Sequence, residues 1–203
     1  MEQTVTTNPP GRPRAFCTDK ALDAAMKVFA DKGFESASLS DLTKAMGISR
    51  PSMYAAFGNK EELYRLALER YSRDTTEHVA QCLAGLPARQ GVHKLLSDAV
   101  KNFTDPKNAG CCFVTQAPLN DAAASLAAQR ENEIRRGAVA RQLQQRFDQA
   151  KKSGEMPESV ATEDMARYFS VVLQGIALQA QHGGTRQELL RVVDFSMAGW
   201  PGG

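Results

Sequence analysis

Apolar residues along this chain recur at helical spacing, and no run alternates with the period of two that a half-buried strand requires. Thr18 and Asp19 open the first periodic segment, where Leu22, Ala25, Met26 and Phe29 fall at i, i+3, i+4 and i+7. Gly33 is placed to stop it, with Phe34 as the apolar residue that follows a glycine stop. Ser38 with Asp41 three positions on reads as a capping box, followed by Leu39, Leu42, Ala45 and Met46 as an inner face and Gly47 as the terminator. Only Ile48 and Ser49 separate that helix from the next. Ser49 suits an N-cap and Pro51 the first turn, with Met53, Ala56 and Phe57 inward. Asn59 and Glu62 read as another capping box, opening a helix from Lys60 to about residue 80 with Leu63, Leu66, Ala67 and Tyr71 inward.

Beyond residue 80 the pattern stays helical. "LAGLPARQG" at 83–91 marks a break, "VHKLLSDAVKNF" a helix, "TDPKNAG" a loop, and "CCFVTQAPL" a short apolar segment closed by Pro118. Residues 121–152 read as one long helix carrying Val139, Leu143 and Phe147 on one side. Gly137 inside it costs about 1 kcal/mol relative to alanine and permits a bend. "KKSGEMPES" is a turn. Residues 160–181, with Met165, Phe169, Val172 and Ile176, and 185–200, with Leu189, Val193, Met197 and Trp200, form two last helices. The expected fold is all-α.

Composition changes this picture little. Of 203 residues, 42% are hydrophobic and 24% charged, as in ordinary globular proteins. The net charge of +2 argues for no particular partner, and residues 1–60 hold eight Lys/Arg against six Asp/Glu. A nucleic-acid reading must therefore rest on where charges sit. The four cysteines, Cys17, Cys82, Cys111 and Cys112, form no C-x-x-C pair, and His78, His93 and His182 stand apart in sequence, so neither a structural zinc site nor any cofactor is expected. Residues 1–14 are polar, hold three prolines and carry the basic tip "GRPR". They read as a flexible arm over 1–18, able to touch a DNA minor groove, and not as a secretory signal. No apolar run approaches the ~18–20 residues of a membrane span, so the expected compartment is the cytoplasm.

Two short helices joined by a tight glycine turn are the pattern of a helix-turn-helix. On a wheel of about 100° per residue, the outward side of the second of them carries Pro51, Tyr54, Ala55 and Gly58, with Arg50 and Ser52 at its edges. Small outward residues let a helix backbone approach another surface, and alanine and proline can meet thymine methyls in a major groove. Arg50 and Lys60 occupy the first positions of consecutive helices, where the helix dipole favours anions instead. A DNA phosphate would reconcile each cation with its helix start, and Tyr54 can donate to another. Arg50 can also reach a guanine edge. The bland alternative leaves Arg50 and Lys60 solvated and Tyr54 as a half-buried support.

The stretch "KVFADKGFESASLSDLTKAMGISRPSMYAAFGNKEELY" resembles the DNA-binding domain of the TetR family of transcriptional repressors. Gly33-Phe34, the Ser38 cap, Ala45-x-Gly47, Ser49, Met53-Tyr54, Phe57 and Lys60-x-x-Leu63 carry the likeness in order and spacing; Gly58-Asn59 replaces a commoner linker. The resemblance implies an N-terminal three-helix helix-turn-helix domain over 19–70 and a C-terminal helical ligand-binding and dimerisation domain over 71–203. It implies a homodimer, paired through the last two helices, on double-stranded operator DNA. Ser38, Ser49, Arg50, Pro51, Ser52, Tyr54, Ala55 and Lys60 would face that DNA, with Tyr54 and Lys60 on phosphates. A small-molecule inducer would bind in the C-terminal part, near Phe103, Cys111, Phe113, Phe147 and Phe169. Gly110-Cys111-Cys112-Phe113 resembles a turn near the inducer cavity in one branch of the family. A thiol at Cys111 or Cys112 sensing oxidants or electrophiles is therefore an alternative regulator. A thiol enzyme on the same cysteines is a rival from another class, and it lacks a Cys/His signature.

Overall fold

The computed structural model describes residues 16–106 and 137–201. Among them are eight helices and no strand: α1 (Thr18–Ser36), α2 (Leu39–Met46), α3 (Arg50–Phe57), α4 (Lys60–Leu83), α5 (Ala88–Phe103), α6 (Ala138–Lys152), α7 (Thr162–Gln181) and α8 (Arg186–Ala198). The all-α expectation holds. No described helix is long and apolar enough to cross a membrane.

Two apolar cores organise the described chain. The first gathers Ala21, Ala25, Phe29 and Ala30 of α1, Leu42 and Met46 of α2, Met53 and Phe57 of α3, and Leu63, Ala67 and Leu68 of α4. The second gathers Val79, Cys82 and Leu83 of α4 with Leu96, Leu143, Phe147, Phe169, Ile176, Val193 and Trp200, among others. α4 is thus common to both: its first half closes one core and its last turns help build the other. Arg70, near its middle, is tied to the start of α1 by ion pairs to Asp19 (3.0 Å) and Asp23 (2.8 Å).

Gly33 breaks α1 near its end, with φ 76° and ψ 168°, a conformation open chiefly to glycine. The turn brings the Phe34 ring back to within 6.2 Å of Phe29 and 5.0 Å of Tyr64, so the break seats an aromatic cluster. Gly47, left-handed at φ 67°, ends α2 and aims the chain into α3.

Several expectations need correction. Ala45 is exposed: on a helix of only eight residues, Leu42 and Met46 suffice to fill the inward stripe. Asn59 caps α4 by accepting from the Glu62 amide at 2.8 Å, but the return half of the box is replaced, because the Glu62 carboxylate accepts from Arg65 instead. Of the long helix expected over 121–152, the described part is α6, which begins after Gly137; the segment before it lies outside the described residues. Periodicity leaves open whether the stripe Leu189, Val193, Met197 and Trp200 fills this chain's own core or meets a second copy; it faces this chain's own core, with Val193 at 0% exposure. The large apolar residues that α7 and α8 leave in solvent are Tyr168, Val171, Leu178, Val192 and Phe195, the last 84% exposed.

Candidate nucleic-acid interface

Local chemistry sets the helix-turn-helix. The Ser38 hydroxyl accepts from the Asp41 amide at 3.1 Å, and the Asp41 carboxylate accepts from the Ser38 amide at 3.2 Å, closing the capping box of α2. Asp41 also pairs with Lys32 at 2.8 Å. The Lys32 ammonium first, then the Ser38 bonds, lower the Asp41 carboxyl from 3.8 to about 2. At the start of α3, the Ser49 hydroxyl accepts from the Ser52 amide at 3.3 Å and lies 2.9 Å from the Ser52 hydroxyl. Pro51, with no amide to satisfy, sits in that first turn.

Met53 and Phe57 anchor α3 inward, and the opposite face is open. Arg50, Pro51, Tyr54 and Ala55 are exposed, and Ser52 is partly so. Ala45 on α2 is exposed as well and was missed as an outward residue; its small size, alike with Ala55, was the available signal. No acidic side chain lies in the first turn of α3, and Arg50 is without an ion pair among the described residues.

Lys60 departs from its expectation. Its ammonium donates to the Glu35 carbonyl at 3.3 Å and stands 4.5 Å from the centroid of the Phe34 ring. Glu61 and Glu62 supply negative charge to the same first turn. The cation at this helix start is therefore reconciled within the chain, and a phosphate would draw it from these partners.

Of the aromatic residues assigned to a ligand, the three described ones, Phe103, Phe147 and Phe169, belong to or pack on one cluster. Phe147 is fully buried, edge-on to Phe169 at 6.2 Å and to Trp200 at 5.8 Å. Phe103 packs partly buried against the same core and also lines a cleft of about 640 Å³ with Thr104, His182 and Arg186. Cys111 and Phe113, with Cys112, lie outside the described residues. Of the two described cysteines, Cys17 is exposed and Cys82 is buried. His78 does not stand apart: it approaches Cys82 on the next turn of α4, and Asp98 of α5 joins them. The i, i+4 spacing of His78 and Cys82 was the readable part of that signal.

The family model described as "Bacterial regulatory proteins, tetR family" matches residues 21–67. The transcriptional repressor ComR of Escherichia coli (strain K12) is 33% identical over 202 residues, covering 94% of this chain and 92% of ComR. The chain belongs to the tetR family of bacterial regulatory proteins. A solved structure of the TetR family regulator CifR, a cysteine mutant complexed with 26-bp double-strand operator DNA, matches with a TM-score of 0.85. It is 38% identical and the match covers 94% of this chain and 100% of that one. A regulatory protein TetR from Rhodobacter sphaeroides, 17% identical with a TM-score of 0.78 over 90% of this chain and 97% of its own, shares the fold. The matched span 21–67 contains all of α2 and α3, with Gly47 and the Ser38 and Ser49 caps. This family member is a transcriptional regulator with a helix-turn-helix.

Proposed function

We propose that the protein is a dimeric repressor that binds operator DNA in the cytoplasm through residues 19–70 and leaves it when residues 71–203 bind a small-molecule inducer. The observation that carries this reading is the open face of α3: Arg50, Pro51, Tyr54 and Ala55 stand in solvent on a helix whose inward face is locked by Met53 and Phe57. CifR, at 38% identity, has been seen with operator DNA. In the complex, Arg50 reads a base edge, and Pro51 and Ala55 let the backbone approach. Ser38, Ser49 and Ser52 hold the two helix starts against the DNA, and Tyr54 and Lys60 take phosphates.

Dimerisation uses the outer faces of α7 and α8. Tyr168, Val171, Val192 and Phe195 are apolar and exposed, and a second copy would cover them. The inducer binds in the C-terminal domain beside the core that holds Phe147 and Phe169 and against which Phe103 packs, with Cys111 and Phe113 completing the site. α4, shared by both cores, carries the resulting shift to the recognition helix.

Selection of duplexes from fragmented genomic DNA by the purified protein tests the reading. Enrichment of a pseudo-palindrome with half-sites about one helical turn apart, or a multiple of it, is the expected result. Retention of all sequences alike would overturn it.

A further inference from the structure

One cluster of ligating side chains has no part in DNA binding. The Cys82 Sγ lies 3.5 Å from the His78 Nε2 and 4.0 Å from the Asp98 Oδ2. All three donor atoms fall within 4.8 Å of one another. A tetrahedral zinc ion, with bonds of about 2.3 Å to sulfur and about 2.0 Å to nitrogen or oxygen, holds its donors about 3.5 Å apart. The sulfur–nitrogen separation already has that value, and the sulfur–oxygen separation needs only a small contraction. Thiolate, imidazole and carboxylate form a donor set that zinc accepts, with a fourth position left to water.

We propose that His78, Cys82 and Asp98 bind one divalent transition-metal ion of the zinc class, clipping α4 to α5 and so regulating the DNA-binding end of the protein. His78 and Cys82 stand one turn apart on α4, and Asp98 faces them from α5. The ion enters from the side of His78, which is exposed. Binding releases the thiol proton to solvent, and the three protein donors with one retained water replace the ion's aqua shell, whose other waters leave. Lys94 is the resident competitor: its ammonium bonds the same Asp98 Oδ2 that faces the sulfur, while Lys101 holds the other oxygen at 3.1 Å. The entering ion displaces Lys94, an exposed side chain free to turn to water, and Lys101 keeps the carboxylate oriented.

The regulatory half of this proposal rests on the operator-binding reading above. α4 contributes Leu63, Ala67 and Leu68 to the core beneath the recognition helix and Val79, Cys82 and Leu83 to the core that holds the clip. A contraction between α4 and α5 therefore bears on the helix that carries the DNA-binding end.

The test is titration of the reduced full-length protein with Co²⁺, a spectroscopic stand-in for zinc, followed by zinc competition. The expected result is one equivalent per chain, with a thiolate-to-cobalt charge-transfer band and tetrahedral visible bands that zinc abolishes. Cys82→Ser and His78→Gln should lose them. A Cys111→Ser/Cys112→Ser variant should keep them. Lys94→Gln should bind roughly fivefold more tightly, since it removes an exposed ion pair that metal must break. The exposed His78 and Lys94 make these two variants safe for folding. A charge-transfer band that survives Cys82→Ser, no band in the native chain, or no tightening in Lys94→Gln would overturn the site. Fluorescence anisotropy on operator, with and without zinc, tests regulation: an affinity change of threefold or more in the native chain and none in Cys82→Ser is expected. Equal affinities would overturn the clip as a regulator. Metal binding without any operator binding would instead strike the reading of operator recognition and leave the metal site intact.

Discussion

The Lys60 ammonium sits over the Phe34 ring, 4.5 Å from its centroid, and donates to the next residue's carbonyl, Glu35, at 3.3 Å. This pairing joins the start of α4 to the short turn that follows the Gly33 break. It is worth about 0.5–1 kcal/mol at such an exposed site. A phosphate that takes Lys60 must therefore offer more than the ring and carbonyl do. Lys60→Ala should weaken binding to operator and to scrambled duplex equally and lower the salt slope by roughly one unit for each phosphate that it ceases to neutralise. Its effect on folding stability should stay below about 1 kcal/mol. Anisotropy over a salt series, with a denaturant melt beside it, measures both; selective weakening on operator alone would assign Lys60 a role in reading sequence.

Arg50 should behave differently, because nothing in the described chain holds it back from a base edge. Arg50→Ala is expected to cost about 1–3 kcal/mol on operator and to relax preference at one position in each half-site. Binding to a panel of single-base operator variants is the measurement. A uniform loss across the panel would place Arg50 on a phosphate.

Val193 and Phe195 lie two positions apart on α8 and face opposite ways, one fully buried and the other 84% exposed. Phe195→Glu should yield a folded monomer with much weaker operator binding. Val193→Asp should unfold the chain instead, since it puts an unpaired carboxylate into the core. Sedimentation and circular dichroism separate the two outcomes. A Phe195→Glu protein that remains dimeric would move the interface elsewhere.

Asp41 links the cap of α2 to acid stability. Its carboxyl is lowered from 3.8 to about 2, chiefly by Lys32 and then by Ser38. A depressed carboxyl contributes stability that is full above its unfolded value and is lost as pH falls through the folded one. The stability gap between the native chain and Asp41→Asn should therefore be constant above about pH 5 and shrink between pH 4 and about pH 2. Ser38→Ala, which removes the cap itself, should cost about 1 kcal/mol. Thermal melts across that pH range check both; a gap that persists at pH 2 would mean the Lys32 and Ser38 bonds do not distinguish the charged form.

The sequence by itself determined the local punctuation. The Ser38 and Ser49 caps, the Gly33 and Gly47 stops and the inward Met53 and Phe57 depend on residues within a turn or two, so helical period and backbone freedom suffice to read them. The outward face of α3 followed from the same wheel. What lies beyond a few residues was decided only by tertiary structure. α7 and α8 carry apolar side chains on two faces, and periodicity cannot say which face packs inside; helix crossing buried Val193 and left Phe195 out. The Lys60 partner is 25 residues away in sequence, at Glu35. α5 lacks a side-chain cap of its own at Pro87, and its first amide, Ala88, donates at 2.7 Å to Glu155 from far along the chain. His78 and Cys82 announce a shared face, but Asp98 reaches them only because α5 packs against α4. Short-range stereochemistry is written in neighbouring residues, whereas the meeting of distant side chains depends on how whole helices share one apolar core.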